Sequence, residues 1–350
     1  MTQLTHGGDW AGYRAQYGHD ALDFSANVSP LGLPQGVANA IAAALPHADR
    51  YPDPLCRALR AKLAPHEGIP AESILCGNGA ADLIFRLAWA AKPRTALVTA
   101  PTFAEYAAAL ESAGCAVRRH FLQAEVDFAV TDSILSSITP EVDMVFLCQP
   151  NNPTGQLTLL PLVERILRRC EACGALLVVD ECFLDFLPDC DALTAKALLD
   201  SKNLLILKAF TKLYGMAGVR LGYCLCANTA LLEAMQAAGQ PWAVSSLAQA
   251  AGLAALDETA YVAQVRALIA QQRPRLTAGL RALGLRVLDG RANYLLFQGP
   301  ETLGDALRQQ GVVLRSCSNY PGLDGSWYRT AVRTEPENDE LLKTLAEVLA

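Results

Sequence analysis

Lys212 sits in Thr211-Lys212-Leu213-Tyr214-Gly215-Met216-Ala217-Gly218-Val219-Arg220-Leu221-Gly222, a Gly-rich segment between two apolar runs, with Arg220 eight positions after the lysine. A lysine amine forms imines with carbonyl compounds, and an arginine fork suits a phosphate. A surface lysine needs no such setting. Three other stretches occupy the same kind of position, at or near the end of an apolar run. Cys76-Gly77-Asn78-Gly79-Ala80-Ala81-Asp82 opens a helical pattern, and glycines there leave backbone N–H groups free to face an anion. Alone, such a turn is usually only a helix entry. Gln149-Pro150-Asn151-Asn152-Pro153-Thr154-Gly155 reads either as a plain turn or as amides aimed into a site. Asp180-Glu181 ends Leu176-Leu177-Val178-Val179, where a carboxylate is costly without a partner and a cation would keep it ionised. An Asp capping the next helix is the structural alternative.

Together the four stretches describe one ligand, with an anionic tail, a cationic ring nitrogen, a ring hydroxyl and an aldehyde. Pyridoxal 5′-phosphate (PLP) has all of these, and a lysine Schiff base with an Asp at the pyridinium nitrogen is its usual protein setting.

The elements that must position these residues are legible as a pattern. Thr95–Thr99, Met144–Cys148, Leu176–Val179, Leu204–Leu207 and Leu221–Leu225 read as buried strands, with helix-length segments such as Phe103–Ala113 and Pro161–Cys173 between them. Apolar strands alternating with helices predict an α/β fold, a mostly parallel sheet covered on both faces, with ligands at the carboxyl ends of the strands. After Pro241 the texture changes. Ser245–Leu283 reads as nearly continuous helix, followed by short strands at Leu285–Leu288, Tyr294–Phe297, Val312–Arg315 and Tyr328–Val332 and a last helix from Pro336. The expected division is a large domain over residues 46–240 and a smaller α+β domain from residues 241–350, with the first 45 residues, which carry no sheet pattern, packed onto it.

Composition narrows the function classes. The chain has 350 residues, 52% hydrophobic and 18% charged, enough for a sizeable core. A net charge of -6 argues against a nucleic-acid partner but not against a small anionic substrate. Met1–Trp10 has neither a basic region nor an apolar run of a secretory signal, and no apolar run reaches membrane-spanning length, so a soluble cytoplasmic protein is expected. The 11 cysteines read as reduced core thiols. Cys170 and Cys173 form a lone CxxC without histidines or a second pair at zinc spacing, so no metal site is expected.

Asn152 within NNPTG, Asp180-Glu181, and Thr211-Lys212 with Arg220 beyond resemble the class I/II aminotransferases of PLP fold type I over nearly the whole chain. The resemblance implies that Lys212 is the Schiff-base lysine, that Asp180 pairs with the pyridine nitrogen, and that Asn152 bonds the ring hydroxyl and lies near the substrate. It implies that Phe103, in Pro101-Thr102-Phe103-Ala104-Glu105-Tyr106, stacks on the ring, and that Gly79, Ala80, Thr211 and Arg220 bind the cofactor phosphate. Tyr51, in Arg50-Tyr51-Pro52-Asp53, would reach the phosphate of the partner subunit, implying a homodimer, and Arg333 would hold the substrate α-carboxylate. Phe183 stands where much of the family has a tyrosine that touches the ring hydroxyl, so that hydrogen bond is missing, and Ala209 stands where the family often has a hydroxyl residue on the phosphate, which leaves more of the phosphate to Thr211 and Arg220. Cys182 stands where alanine is common, and packing is its expected role.

Two branches of the family fit. RYPD, GNG and the length resemble histidinol-phosphate aminotransferases. His6-Gly7-Gly8, Asp23–Gly32, Arg291–Leu296 and Arg315-Ser316-Cys317-Ser318-Asn319-Tyr320-Pro321-Gly322-Leu323 resemble more closely the branch that decarboxylates L-threonine O-3-phosphate in cobalamin biosynthesis. In either branch the Cα bond perpendicular to the cofactor ring is the one weakened: Cα–H in transamination, the bond to the carboxylate in decarboxylation. A grip on a substrate phosphate would set that geometry, with His6, Asn27, Arg315 and Arg329 as candidate anchors, although His6 and the two arginines also read as surface residues. Lys212 would then protonate Cα after CO2 leaves. One methyl gives limited discrimination, so serine phosphate stands beside threonine phosphate. A ligand-binding regulatory module on the same fold is the alternative from another class; its relatives carry a DNA-binding segment before the fold, whereas the pattern here starts almost at residue 1 of an acidic chain.

Overall fold

A computed structural model describes residues 6–350. Its strands are β1 (Leu22–Asp23), β2 (Ile74–Gly77), β3 (Thr95–Ala100), β4 (Ala116–Phe121), β5 (Met144–Cys148), β6 (Leu176–Asp180), β7 (Leu204–Ala209), β8 (Gly222–Cys226), β9 (Arg286–Val287), β10 (Tyr294–Gln298), β11 (Val312–Val313), β12 (Arg315–Ser316) and β13 (Trp327–Ala331). A seven-stranded sheet runs β2-β8-β7-β6-β5-β3-β4. Its pairs β7-β6, β6-β5, β5-β3 and β3-β4 are parallel, and only β8 runs against its neighbours. Alternate residues of each strand feed two separate cores. Val145, Leu147, Leu177, Val179 and Ile206 pack on one face, and Met144, Phe146, Val178, Leu205 and Leu207 on the other. Burial on both faces is why these strands read as unbroken apolar runs.

The predicted strands and intervening helices are present, the helices as Glu105–Ser112 and Leu160–Cys173. Four details differ. The expected long helix is two, Ser246–Ala255 and Thr259–Ala282, and in the break between them Asp257 pairs with Lys62 at 2.6 Å. Val312–Arg315 divides between two sheets, β11 pairing with β1 and β12 with β13. That first pairing gives the N-terminal segment a strand that its sequence pattern lacks, since two residues cannot show alternation. β4 also escaped the reading. It is an edge strand carrying Arg118, Arg119 and His120, and charge on an edge blocks further pairing at the cost of the apolar signature.

The remaining small sheet runs β12-β13-β10-β9 and is antiparallel throughout. The last helix, Glu335–Leu349, starts with a capping box between Thr334 and Glu337. Cys170 is buried and Cys173 half-buried, both packed in the core. Among the described residues, no helix is long and apolar enough to cross a membrane and no cluster of metal-ligating side chains occurs.

Candidate active site

The four sequence stretches meet at one edge of the seven-stranded sheet. Asp180 is the last residue of β6, Asn152 follows β5, Phe103 follows β3, and Lys212 lies in the short helix Phe210–Leu213 that follows β7. Gly79 begins the helix Gly79–Ala91 directly after β2, and Arg220 precedes the antiparallel β8, so both reach the same edge. This is where an open α/β sheet binds ligands.

Asp180 is 5% exposed and fixed from two sides. The Tyr106 hydroxyl donates to its Oδ2 at 2.6 Å and the Cys182 N–H to Oδ1 at 3.0 Å. Burial, then the neighbouring Asp180 charge, pushes the Tyr106 phenol far up, so it stays protonated and must donate. Tyr106 is itself held by a stack on Phe146, ring centroids 4.7 Å apart. Sequence reasoning stopped at Phe103 and missed Tyr106, although a spacing of three puts both on one side of a helical turn, where the rings meet edge to face at 5.5 Å.

Lys212 Nζ lies 5.7 Å from the Phe183 ring. Burial first, then the positive charges of Arg329 and Arg220, brings its amine down to about 8, and the Cys182 thiol and Asp180 oppose them only in part. A lysine poised there is uncharged often enough to act as a nucleophile or a proton carrier.

The loop after β5 divides its labour. Asn151 is structural: its amide donates to the Pro101 carbonyl at 3.0 Å and to Thr154 Oγ1 at 2.9 Å, and accepts from Thr102 Oγ1 at 2.8 Å, which ties this loop to the Phe103 loop. Asn152 is free for the site and accepts from Arg329 Nη1 at 2.5 Å. Glu181, by contrast, belongs to the scaffold. It accepts from Thr194 Oγ1 and the Ala195 N–H, both at 2.7 Å, and burial raises its carboxyl to about 6 against the pull of Lys208.

The anion seat is built by close approach. Gly79 is at φ 82°, and a Cβ there would stand 2.8 Å from Arg220 Nη2, so the guanidinium lies against the start of the helix. A Cβ on Gly222 would stand 2.7 Å from the Ala80 nitrogen. No side chain caps this helix, which leaves its first N–H groups available. Arg220 is held at φ 61°, a conformation costing a non-glycine residue about 1–3 kcal/mol. Thr211 is buried alongside, its hydroxyl 3.5 Å from the Leu221 carbonyl.

Across from this seat, β12 and β13 place Arg315 and Arg329 directly opposite one another, 9% and 6% exposed. Arg315 bonds Asn319 at 2.8 Å and lies over the Tyr320 ring. Arg329 reaches the Ser25 carbonyl at 2.8 Å besides Asn152. Its Nε, both amide atoms of Asn27 and Oδ1 of Asn293 are buried without hydrogen-bond partners. Buried polar atoms without partners are rare unless a ligand supplies them. Asn293, whose amide donates to the Asn27 carbonyl at 3.3 Å, is a second residue that sequence reasoning did not single out. His6 and Arg315 line one cavity of about 230 Å³.

One expected residue lies elsewhere. The Arg333 guanidinium is taken up by Glu337, at 2.5 and 3.0 Å, and by the Asp23 carbonyl at 3.1 Å. The arginine that touches Asn152 is Arg329, four residues earlier, and this corrects the expectation for Arg333. Their side chains diverge because β13 ends at Ala331, so Arg333 leaves the sheet and pairs with the helix Glu335–Leu349 instead. Tyr51, expected to serve a partner subunit, is 80% exposed and stacks on Trp242 at 4.4 Å. A larger cavity, about 350 Å³ and lined by Glu67, Asp185, Lys196 and Lys208, includes neither Lys212 nor Asp180.

The residues present fit PLP: a nucleophilic amine, a fixed carboxylate, an aromatic face and a helix N-terminus with an arginine against it. The chain is 40% identical over 332 residues, 94% of this chain and 91% of the other, to the threonine-phosphate decarboxylase of Salmonella typhimurium. It is 35% identical over 345 residues to a histidinol-phosphate aminotransferase of Desulfitobacterium hafniense, covering 94% and 92% of the two chains. The crystal structure of the histidinol-phosphate aminotransferase from Clostridium acetobutylicum superposes with a TM-score of 0.87 at 28% identity, over 93% of this chain and 98% of that one. The family model of class I and II aminotransferases matches residues 19–345, which include every element around Lys212, and the chain belongs to that family.

Proposed function

We propose that this protein is a PLP-dependent carboxy-lyase that converts L-threonine O-3-phosphate to (R)-1-amino-2-propanol O-phosphate for the nucleotide loop of cobalamin. The observation that carries the reading of a doubly anionic substrate is the pair Arg315 and Arg329, buried and opposed on β12 and β13, with Arg329 bonded to Asn152. Two arginines directly opposite on paired strands concentrate positive charge in one buried place, which suits a substrate with two anionic ends. Threonine phosphate offers the pair a phosphate and a carboxylate; in the aminotransferase alternative histidinol phosphate offers only the phosphate, but 2-oxoglutarate offers two carboxylates, so the pair points to a doubly anionic substrate in either reading. Between the two, the 40% identical decarboxylase favours threonine phosphate.

PLP, when bound, supplies an electron sink for the pair left on Cα when a bond there breaks. The chain's own residues do the rest. Asp180, aligned by Tyr106 and Cys182, would hold the proton on the ring nitrogen. Asn152 would bond the ring hydroxyl, Phe103 would cover the ring face, and Gly79, Ala80, Thr211 and Arg220 would hold the cofactor phosphate. Arg329 with Asn152, in place of Arg333, would grip the substrate carboxylate, and Arg315, Asn27 and His6 the substrate phosphate. Fixing both ends fixes rotation about the substrate N–Cα bond, which selects the bond that breaks. After CO2 departs, Lys212 as its ammonium would deliver a proton to Cα and be left as the neutral amine. The exposed Tyr51 would complete the phosphate seat of a partner subunit in a homodimer. The reading also keeps a large domain over residues 46–240 with the rest as the small domain, and a cytoplasmic location.

The test is CO2 release from threonine phosphate by the PLP-loaded enzyme, with serine phosphate alongside. Absence of release, together with 2-oxoglutarate-dependent turnover of histidinol phosphate, would refute the proposal in favour of an aminotransferase.

A further inference from the structure

The N-terminal segment beginning at His6 joins the two halves of the site. Gly7 packs so closely on the Ser25 carbonyl that a Cβ has no room there, and the Gly8 N–H donates to Ser25 Oγ at 2.8 Å. The same Ser25 carbonyl accepts from Arg329. On the other side, His6 Nε2 meets Glu105 Oε1 at 2.7 Å, and the His6 ring lies 5.9 Å from that of Phe103, the aromatic proposed to cover the cofactor. Residues 6–8 thus lie between Arg329 on β13 and the loop after β3.

We propose that Glu105 is a positioning residue for substrate binding: it fixes the His6 ring through Nε2, anchors residues 6–8 across the site, and, in the imidazolium form that carries a proton on both nitrogens, leaves Nδ1–H to donate to the substrate phosphate. The inference rests on the reading of threonine phosphate as substrate and of His6 as one of its anchors. Three observations support it. The hydrogen bond from His6 holds Glu105 below the usual carboxylate range, so near neutral pH the carboxylate only accepts and Nε2 must bring the proton. The bond made by one imidazole nitrogen sets the orientation of the other. Glu105 is also the first residue of the helix Glu105–Ser112, where a carboxylate is favoured by the helix dipole and its backbone is fixed. Tyr106, next in that helix, holds Asp180, so neighbouring residues on one turn set the cofactor carboxylate and the substrate anchor.

The experiment compares Glu105→Ala, Glu105→Gln, His6→Ala and the double variant His6→Ala/Glu105→Ala, all PLP-loaded. Hydrogen exchange of the backbone amides of residues 6–9 is measured without substrate. Affinity for threonine phosphate is measured by the visible absorbance change, and KM and kcat by CO2 release. Glu105→Ala is expected to speed exchange of residues 6–9 several-fold and to raise KM roughly ten-fold with kcat holding, the size of one charge-assisted hydrogen bond. Glu105→Gln, which keeps an acceptor, recovers part of that loss. In the His6→Ala background the Glu105 effect on KM disappears, because the two residues act as one unit. Unchanged exchange in Glu105→Ala overturns the anchoring. Faster exchange with unchanged affinity, or an equal KM effect with and without His6, overturns the positioning role. If the parent enzyme neither binds nor turns over threonine phosphate, the functional reading fails separately; the exchange result still decides the anchoring, and histidinol phosphate serves as the probe of affinity.

Discussion

Gly222 opens β8 beneath the turn that begins the helix Gly79–Ala91, and Gly222→Ala is the sharpest test of where the cofactor phosphate sits. An added Cβ would lie 2.7 Å from the Ala80 nitrogen, 2.9 Å from the Gly79 carbonyl carbon and 3.0 Å from the Lys208 carbonyl oxygen. All three are backbone atoms, so no flexible side chain can swing aside. Ordinary contact begins near 3.4 Å, so the turn must retreat by about 0.7 Å. Overpacking of this kind costs about 1–3 kcal/mol of stability. Hydrogen bonds to a charged acceptor are worth about 1.5–3 kcal/mol, so misplacing the Ala80 N–H weakens PLP binding by roughly 10- to 150-fold. The assay is titration of cofactor-free enzyme with PLP, followed by visible absorbance, and in parallel with pyridoxal, which lacks the phosphate. The expected outcome is a large loss for PLP and little for pyridoxal. Equal losses for the two, or none for PLP, would show that this turn is not the phosphate seat.

Three other outcomes follow from the geometry. Arg329→Lys loses the paired contacts to Asn152 and the Ser25 carbonyl and is expected to lower kcat/KM for CO2 release by roughly 10- to 150-fold, whereas Arg333→Ala, which breaks the Glu337 pair, lowers the unfolding midpoint and leaves KM near the parent value. Tyr106→Phe keeps the stack on Phe146 but removes the donor to Asp180, and kcat is expected to fall roughly ten-fold with the fold intact by circular dichroism. Because burial brings Lys212 to about 8, the rate of PLP attachment to the cofactor-free enzyme should rise with pH through about 8 and level off above it, as the amine loses its proton and becomes nucleophilic; in Arg329→Met the inflection moves up, since a nearby positive charge is gone, and an inflection near that of a free lysine in the parent enzyme would contradict the geometry.

The large sheet was legible because its strands are buried on both faces and therefore apolar throughout: Met144–Cys148 is bounded in the structure as it is in the sequence. β4 was not, because an edge strand with one side in solvent carries Arg118 and Arg119 where an inner strand carries valine or leucine. The cofactor side of the site follows the same logic. Gly79, Asn152, Asp180, Lys212 and Arg220 all stand at ends of readable strands, so their convergence follows once the sheet is parallel. The substrate side does not. His6, Asn27, Arg315 and Arg329 were named only through the family resemblance, and Ser25 and Asn293 not at all: the N-terminal residues carry no sheet pattern, β12 with Arg315 is two residues long, and the small antiparallel sheet does not say which of its side chains face Asn152.

The sequence by itself determined the chemistry of the cofactor seat, since a lysine, a carboxylate and a glycine turn placed at the ends of apolar strands need only the rules of sheet packing to meet. Tertiary structure alone decided between Arg329 and Arg333. Both are arginines in one short segment, and composition cannot tell them apart. Pairing of β13 with β12 and β10 turns Arg329 inward to Asn152, while the end of that strand releases Arg333 to Glu337. It alone, too, brought Tyr106 onto Asp180 and His6 onto Glu105, contacts across 74 and 99 residues that no local pattern encodes.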